Sequence, residues 1–293
     1  MTVLAVAAGV LVGVSSGGVF GGALGAVAGL GLGAVFLRIR DRRYARRRSL
    51  LARPFPAAWR SFLETHYDHY DRLPPDLRRR FEDDARIFLG EKRITGVEVL
   101  VTDETRLLVA ASAVTLSLGW PSYEWEQLTE VLLYPDGFDR DYKFGNRERA
   151  GETSHWGSII LSVPSLRESF EDPDDAYHVG IHEFAHLLDV GRRNFDGIPP
   201  GLDEARRQEW VRLTDKEMER LRQEEEKRLR RDTSVIDPYG AHDPVEFLAV
   251  AVEAFFEAPL ALRRRHAELY ALLSAYFVQD PAAWDDARGL LEP

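Results

Sequence analysis

The first 36 residues contain no charged side chain, and the next twelve, 37–48, contain seven arginines (38, 40, 42, 43, 46, 47 and 48) against the single Asp41. The run from Val3 to Leu37 exceeds the ~20 apolar residues that cross a bilayer core of ~30 Å, so an end of this kind is expected in lipid rather than in a packed core. One membrane span is the economical reading, with a short hairpin turning near Ser15-Ser16-Gly17-Gly18 as the competing topology. A secretory signal peptide wants basic residues ahead of its apolar stretch, and only Met1 and Thr2 stand there. Arginines directly after a span are retained in the cytoplasm. This predicts a single-pass protein of the inner (cytoplasmic) membrane with its amino terminus outside and its body cytoplasmic.

Glycine stands at positions 9, 13, 17, 21, 25, 29 and 33 of that segment. A spacing of four gathers them on one slowly drifting stripe of a helix, where missing side chains let a second helix approach closely. The stripe predicts a homo-oligomer formed through the anchor, although a low-complexity anchor of small residues has the same composition.

Beyond the arginines the chain turns acidic. Residues 49–293 hold 31 Lys and Arg against 47 Asp and Glu, which argues against nucleic acid as a partner, because phosphate affinity needs a basic face. Cysteine is absent; disulfides, thiolate metal sites and cysteine nucleophiles are excluded together. Any metal must be held by histidines and carboxylates. No repeat or long Gly/Ser linker follows Leu50, so three segments are expected: an anchor over 1–37, a polybasic stretch over 38–49 and one domain over 50–293.

Within the domain, Leu73-Pro74-Pro75 separates an early helix from one over 76–89. Alternation of Val97, Val99 and Val101 predicts a strand over 97–101, and Thr102-Asp103 can cap a helix running through Leu118. Further strands are expected at 131–134 and at 158–163, the second after a Gly- and Arg-rich loop and stopped by Pro164. Helical patterns dominate after His178, over 178–191, 202–231, 244–258 and 260–277. Mixed charges at helical spacing over 215–232 fit a solvated helix face. The fold class is α+β, mostly helical with a small sheet.

The most informative pentapeptide is His182-Glu183-Phe184-Ala185-His186. On a helix, side chains four apart rise one above the other, so both imidazoles can direct a nitrogen at one ion. Glu183, one residue round, reaches a metal-bound water rather than the metal, where a general base is required. Two histidines hydrogen-bonded to neighbours on a half-buried helix have the same spacing, so context decides. A catalytic zinc takes three protein ligands and leaves one position open. No third histidine follows at short range, since position 192 is Arg. The downstream helix opened by Asp243-Pro244 carries Glu246 and Glu253 on one face among Phe247, Leu248, Val250 and Val252, where carboxylates are costly to bury unless a cation is near.

On these residues the body resembles the MtfA-type zinc peptidases, whose site is similar to that of the anthrax lethal factor protease. The resemblance rests on His182 to His186 with Leu188-Asp189 after it, on Asp243-Pro244-Val245-Glu246 and the apolar helix to Glu253, and on weaker agreement at 102–111 and 131–138. It covers about residues 50–285 and implies a zincin-like fold. It implies one Zn2+ held by His182, His186 and Glu246, with Glu183 as general base and Tyr239 steadying the oxyanion. Asp189 and Glu253 read as carboxylates that orient the ligand imidazoles. The resemblance also implies peptide or protein substrates, with aminopeptidase-like cleavage among the activities. Soluble members lack the segment 3–37, so their partner, the repressor Mlc, does not carry over with the site.

The expected function is a membrane-anchored zinc peptidase working on the cytoplasmic side, with zinc-bound water as nucleophile. The strand Ser158, Ile159, Ile160 and Leu161 is expected to be the edge against which a peptide pairs, although a central strand has the same pattern. The rival is a regulator that sequesters a cytoplasmic protein, such as a transcriptional repressor, at the membrane.

Overall fold

The computed structural model describes residues 28, 30–35, 37–38, 41–144, 149–172, 176–190, 195–226 and 234–287. The chain forms two units, 1–54 and 55–293. In the first, residues 41–51 are helical. Most of the expected span over 3–37, with most of its glycine stripe and the alternative hairpin, lies outside the described residues. Among the described residues no helix is long and apolar enough to cross a membrane.

The second unit runs α1 (Ala57–His66), α2 (Asp68–Arg72), α3 (Pro75–Glu91), β1 (Ile94–Gly96), α4 (Asp103–Ser117), β2 (Glu130–Tyr134), β3 (Gly151–Thr153), β4 (Ser158–Ser162), α5 (Val163–Glu171), α6 (Val179–Val190) and α7 (Glu204–Glu226). A 3-10 turn (Pro238–Ala241) then leads to α8 (Pro244–Glu257), α9 (Pro259–Arg265), α10 (Ala267–Phe277) and α11 (Pro281–Ala287). The sheet order is β1-β2-β4-β3; the first three strands are parallel and β3 lies antiparallel to β4. Helices dominate a small mixed sheet, an α+β architecture.

Two helices are buried over nearly their whole length, α4 from Leu107 to Ser117 and α8 from Phe247 to Glu257. A helix apolar on all sides must lie inside, and each wholly buried Leu or Phe adds ~1.5–3 kcal/mol. Helix α4 starts where Thr102 and Thr105 exchange hydrogen bonds: Thr105 N–H donates to Thr102 Oγ1 (3.2 Å) and Thr102 N–H to Thr105 Oγ1 (3.0 Å). Asp243 caps α8, its Oδ1 accepting from the N–H groups of Val245 (2.8 Å) and Glu246 (3.0 Å), with Pro244 opening the first turn. Helix α6 packs against both α4 and α8 and against β3 and β4. Gly180 permits the approach to α4: a methyl group there would stand 2.2 Å from Ser112 Oγ.

Three expectations change. The strand expected over 97–101 is Ile94–Gly96 instead, because the chain turns back at Glu98 (φ 58°) and brings the Val99 carbonyl over Gly96. Pro164 does not simply end a strand. It lies in the first turn of α5, which Ser162 caps through the Ser165 N–H. The helix expected over 260–277 is two, α9 and α10, broken at His266. Charged α7 carries exposed pairs such as Arg220–Glu224 at 3.0 Å while Met218 and Leu221 face inward; the end of the expected 202–231 helix lies outside the described residues.

Candidate metal centre

The start of α6 is tied to two other helices. His178 N–H donates to Glu253 Oε2 of α8 (2.6 Å), Val179 N–H to Ser169 Oγ of α5 (3.0 Å) and Ile181 N–H to the His178 ring at Nδ1 (3.2 Å). These bonds satisfy donors that a helix start leaves free, and they fix the rotation of α6 about its axis. The face so presented to α8 carries His182 and His186.

Glu246, in the first turn of α8, meets both imidazoles. Its Oε2 is 3.3 Å from His182 Nε2 and 3.5 Å from His186 Nε2, and the two nitrogens are 3.0 Å apart. Donors ~2.0–2.2 Å from a tetrahedral zinc are separated by ~3.3 Å, close to these three spacings. Glu246 Oε2 is buried without a hydrogen bond among the described residues. Two imidazole nitrogens and a carboxylate oxygen converge there, a grouping that a cation between them would stabilise. The donor set, two imidazoles and one carboxylate, fits a zinc-sized divalent ion with one position left over. Among the described residues it is the one such His/Asp/Glu grouping.

Charges around the triad are strongly coupled. Burial opposes a charge on His182, but the carboxylates of Glu253, Glu246 and Glu183 outweigh it and push this imidazole well above its ordinary range. Burial would also raise Glu246, yet the two imidazoles beside it hold it well below the usual carboxylate range.

The orienting carboxylates behave unequally. Glu253, almost wholly buried, accepts from His182 Nδ1 at 2.7 Å, which leaves Nε2 turned toward Glu246. Asp189 does not hydrogen-bond either imidazole among the described residues, contrary to the expectation. Its Oδ2 accepts from Gly197 N–H (2.8 Å), so the side chain is engaged by backbone and not by an imidazole. Its Oδ1 and His186 Nδ1 are both buried without a partner among the described residues. Burial pushes Asp189 up to about 6 against the pull of the Gly197 bond.

Glu183 is buried between this triad and the sheet. Burial raises its carboxyl against the opposing pull of His182 and His186. Tyr239 lies on the 3-10 turn, held by Asp237 Oδ1 accepting from its N–H (2.9 Å), with its ring against His242 at 5.0 Å. Its hydroxyl carries no hydrogen bond among the described residues. Burial of its inner part and then the Glu246 and Asp243 carboxylates raise its pKa, and Glu183 adds to the effect.

The expected docking edge is overturned. Ser158, Ile159, Ile160 and Leu161 belong to β4, which pairs with β2 over Ser158–Ser162 and with β3 over Ile159–Leu161. Backbone groups engaged on both sides have no ladder positions left for a peptide. The outer strand is β3, Gly151–Thr153, within the segment read as a loop. Gly157, immediately before the apolar run and at φ 79°, is the available sign of a hairpin there.

Comparison with known proteins covers most of the second unit and reaches into the first. The family described as glucose-regulated metallo-peptidase M90 matches residues 41–278. An uncharacterized protein of Synechocystis sp. is 34% identical over 80% of this chain and 89% of its own length. Proteins named Mlc titration factor A are similar as well. That of Edwardsiella ictaluri is 30% identical over 77% of this chain and 86% of its own, and that of Pectobacterium atrosepticum is 32% identical over 67% and 77%.

Proposed function

Because the chain belongs to the glucose-regulated metallopeptidase M90 family, we propose that it is a zinc-dependent peptidase in which His182, His186 and Glu246 hold the metal and Glu183 is the general base. The observation that carries the reading is the triangle of donor atoms, 3.0, 3.3 and 3.5 Å on its sides, with a buried carboxylate beside it. Zinc in such a site would supply Lewis acidity, lowering the pKa of a bound water toward ~7 and polarising a carbonyl. Glu183 takes a proton from the attacking water and returns it to the leaving amine, a role its raised affinity for protons suits. Glu253 keeps His182 in the tautomer a ligand needs. The Tyr239 hydroxyl, uncommitted among the described residues, donates to the developing oxyanion. An extended peptide lies along the outer edge of β3, where backbone groups remain to pair with it.

The charge-free run over 3–37 and the arginines at 38–48 support a single span with the domain over 50–293 on the cytoplasmic side, and the glycine stripe supports pairing of spans. Reporter fusions at residues 2 and 60 test the topology: signal from the outer face at residue 60 would reverse it.

A second reading is favoured by the relatives named Mlc titration factor A, a name that points to a protein partner. In it the domain recruits a cytoplasmic regulator to the membrane and hydrolysis is incidental. Glu183→Gln separates the two. Zinc content should be retained and turnover of a peptide library should fall ~10²–10⁴-fold. Unchanged turnover in that variant rejects the peptidase mechanism, and unchanged partner recruitment alongside lost turnover favours the second reading.

A further inference from the structure

Residues 151 and 153 lie on one face of β3, since side chains two apart on a strand share a face, and that face meets the Glu183 side chain. The Thr153 hydroxyl is 2.7 Å from Glu183 Oε2 and 2.9 Å from the Glu183 carbonyl oxygen. A hydroxyl has one proton to donate, and the carboxylate oxygen is the nearer, charged acceptor. At Gly151 an added methyl group would stand 2.6 Å from Glu183 Oε1, 2.7 Å from Cγ and 2.9 Å from Cδ. The carboxylate therefore lies close over a bare Cα, with a hydroxyl bonded to its other oxygen.

We infer that Thr153 and Gly151 are positioning residues for the base: the hydroxyl holds one carboxylate oxygen and the missing side chain leaves room for the other. The inference rests on the peptidase reading for what Glu183 does, and on geometry alone for where it is held. A base works only within ~2.6–3.2 Å of the proton it takes, and a displacement of ~1 Å can cost ~10²-fold in rate. A glutamate has three rotatable side-chain bonds, so a buried one needs fixed neighbours to stay in place. Here those neighbours belong to the outer strand of the sheet. A peptide aligned on that strand is thereby aligned with the base, through a single three-residue element. Glu152, between the two, is engaged instead by Tyr142 (2.9 Å) and Arg149.

The test uses full-length protein and the best quenched fluorescent peptide from the library. Thr153→Val keeps the shape and removes the hydroxyl, Thr153→Ser keeps the hydroxyl, and Gly151→Ala intrudes on the carboxylate. The expected result is a ~10–100-fold loss of kcat in Thr153→Val with KM within ~2-fold. Thr153→Ser should recover most of that loss, with bound zinc unchanged in every variant. Crystal structures of Thr153→Val and Gly151→Ala should show the Glu183 carboxylate turned away while His182, His186 and Glu246 stay in place. An unmoved carboxylate in both overturns the inference. So does a Thr153→Ser as impaired as Thr153→Val, which would mark a packing role. Wild-type turnover no higher than that of Glu183→Gln would reject the peptidase reading separately, and the carboxylate positions would then decide this inference without it.

Discussion

His178, immediately before α6, and His182 and His186 within it stand four residues apart, yet the first two imidazoles are treated in opposite ways. His178 is wholly buried against Phe170, with ring centroids 4.5 Å apart, and burial pushes its pKa down to about 3. Its Nε2 has no partner among the described residues. Burial also opposes a charge on His182, but there three carboxylates win. Helical spacing is the same for 178/182 as for 182/186, and the second pair alone converges with Glu246. What marks the candidate metal centre is thus not the spacing alone but the carboxylates that α8 brings to the imidazole of His182 and not to that of His178, whose backbone N–H alone meets Glu253.

Removing that acidic group should break the comparison most severely. Glu246→Gln is expected to lower zinc affinity by more than the ~10–100-fold typical of losing an outer partner, read by competition with a chromophoric chelator. Affinity within threefold of wild type would show that His182 and His186 hold the ion without it. Next comes Glu253→Gln, for which a ~10–100-fold loss in zinc affinity is expected. Because Glu253 bonds both His182 Nδ1 and His178 N–H, this variant also loosens the start of α6, and faster amide exchange at residues 178–182 should accompany the lost affinity.

The smallest effect is a pH dependence of stability in metal-free protein, followed by urea unfolding in chelator. His69 and His178 are held neutral by burial, their folded pKa values lowered. Their stabilisation is complete above ~6.5 and is lost as pH falls below it, at up to ~1.4 kcal/mol per pH unit for each. His182, with a raised folded pKa, contributes the reverse: its stabilisation is present below ~6.5 and is lost as pH rises through the folded value. A maximum near pH 6.5 is expected from these imidazoles. A profile flat from pH 6.5 to 5 would show that His69 and His178 do not stay neutral in the fold.

Parts of the site could be read along the chain because their geometry is local. The 182/186 spacing belongs to any helix, and Asp243-Pro244 announces the start that puts Glu246 in a first turn. The valines at 97, 99 and 101 misled because alternation does not reveal a backbone reversal at Glu98. Asp189 is expected from the sequence to orient an imidazole, but a backbone N–H eight residues on takes it. Gly151-Glu152-Thr153 has too few residues to show a period, so nothing in it announces a strand. Its pairing partner, Ile159–Leu161, lies across a hairpin.

The amino-acid order alone determined the charge-free front and its arginines, the absence of cysteine, the helical character of the carboxyl-terminal half and the one-faced arrangement of two imidazoles, since each follows from composition or from contacts within a few residues. Tertiary structure decided which histidines face a carboxylate, which strand is outermost and what holds Glu183. Those outcomes depend on distant segments meeting, Thr153 with Glu183 and residue 182 with 253, and only the packing of α6 between α8 and the sheet brings them within hydrogen-bonding range.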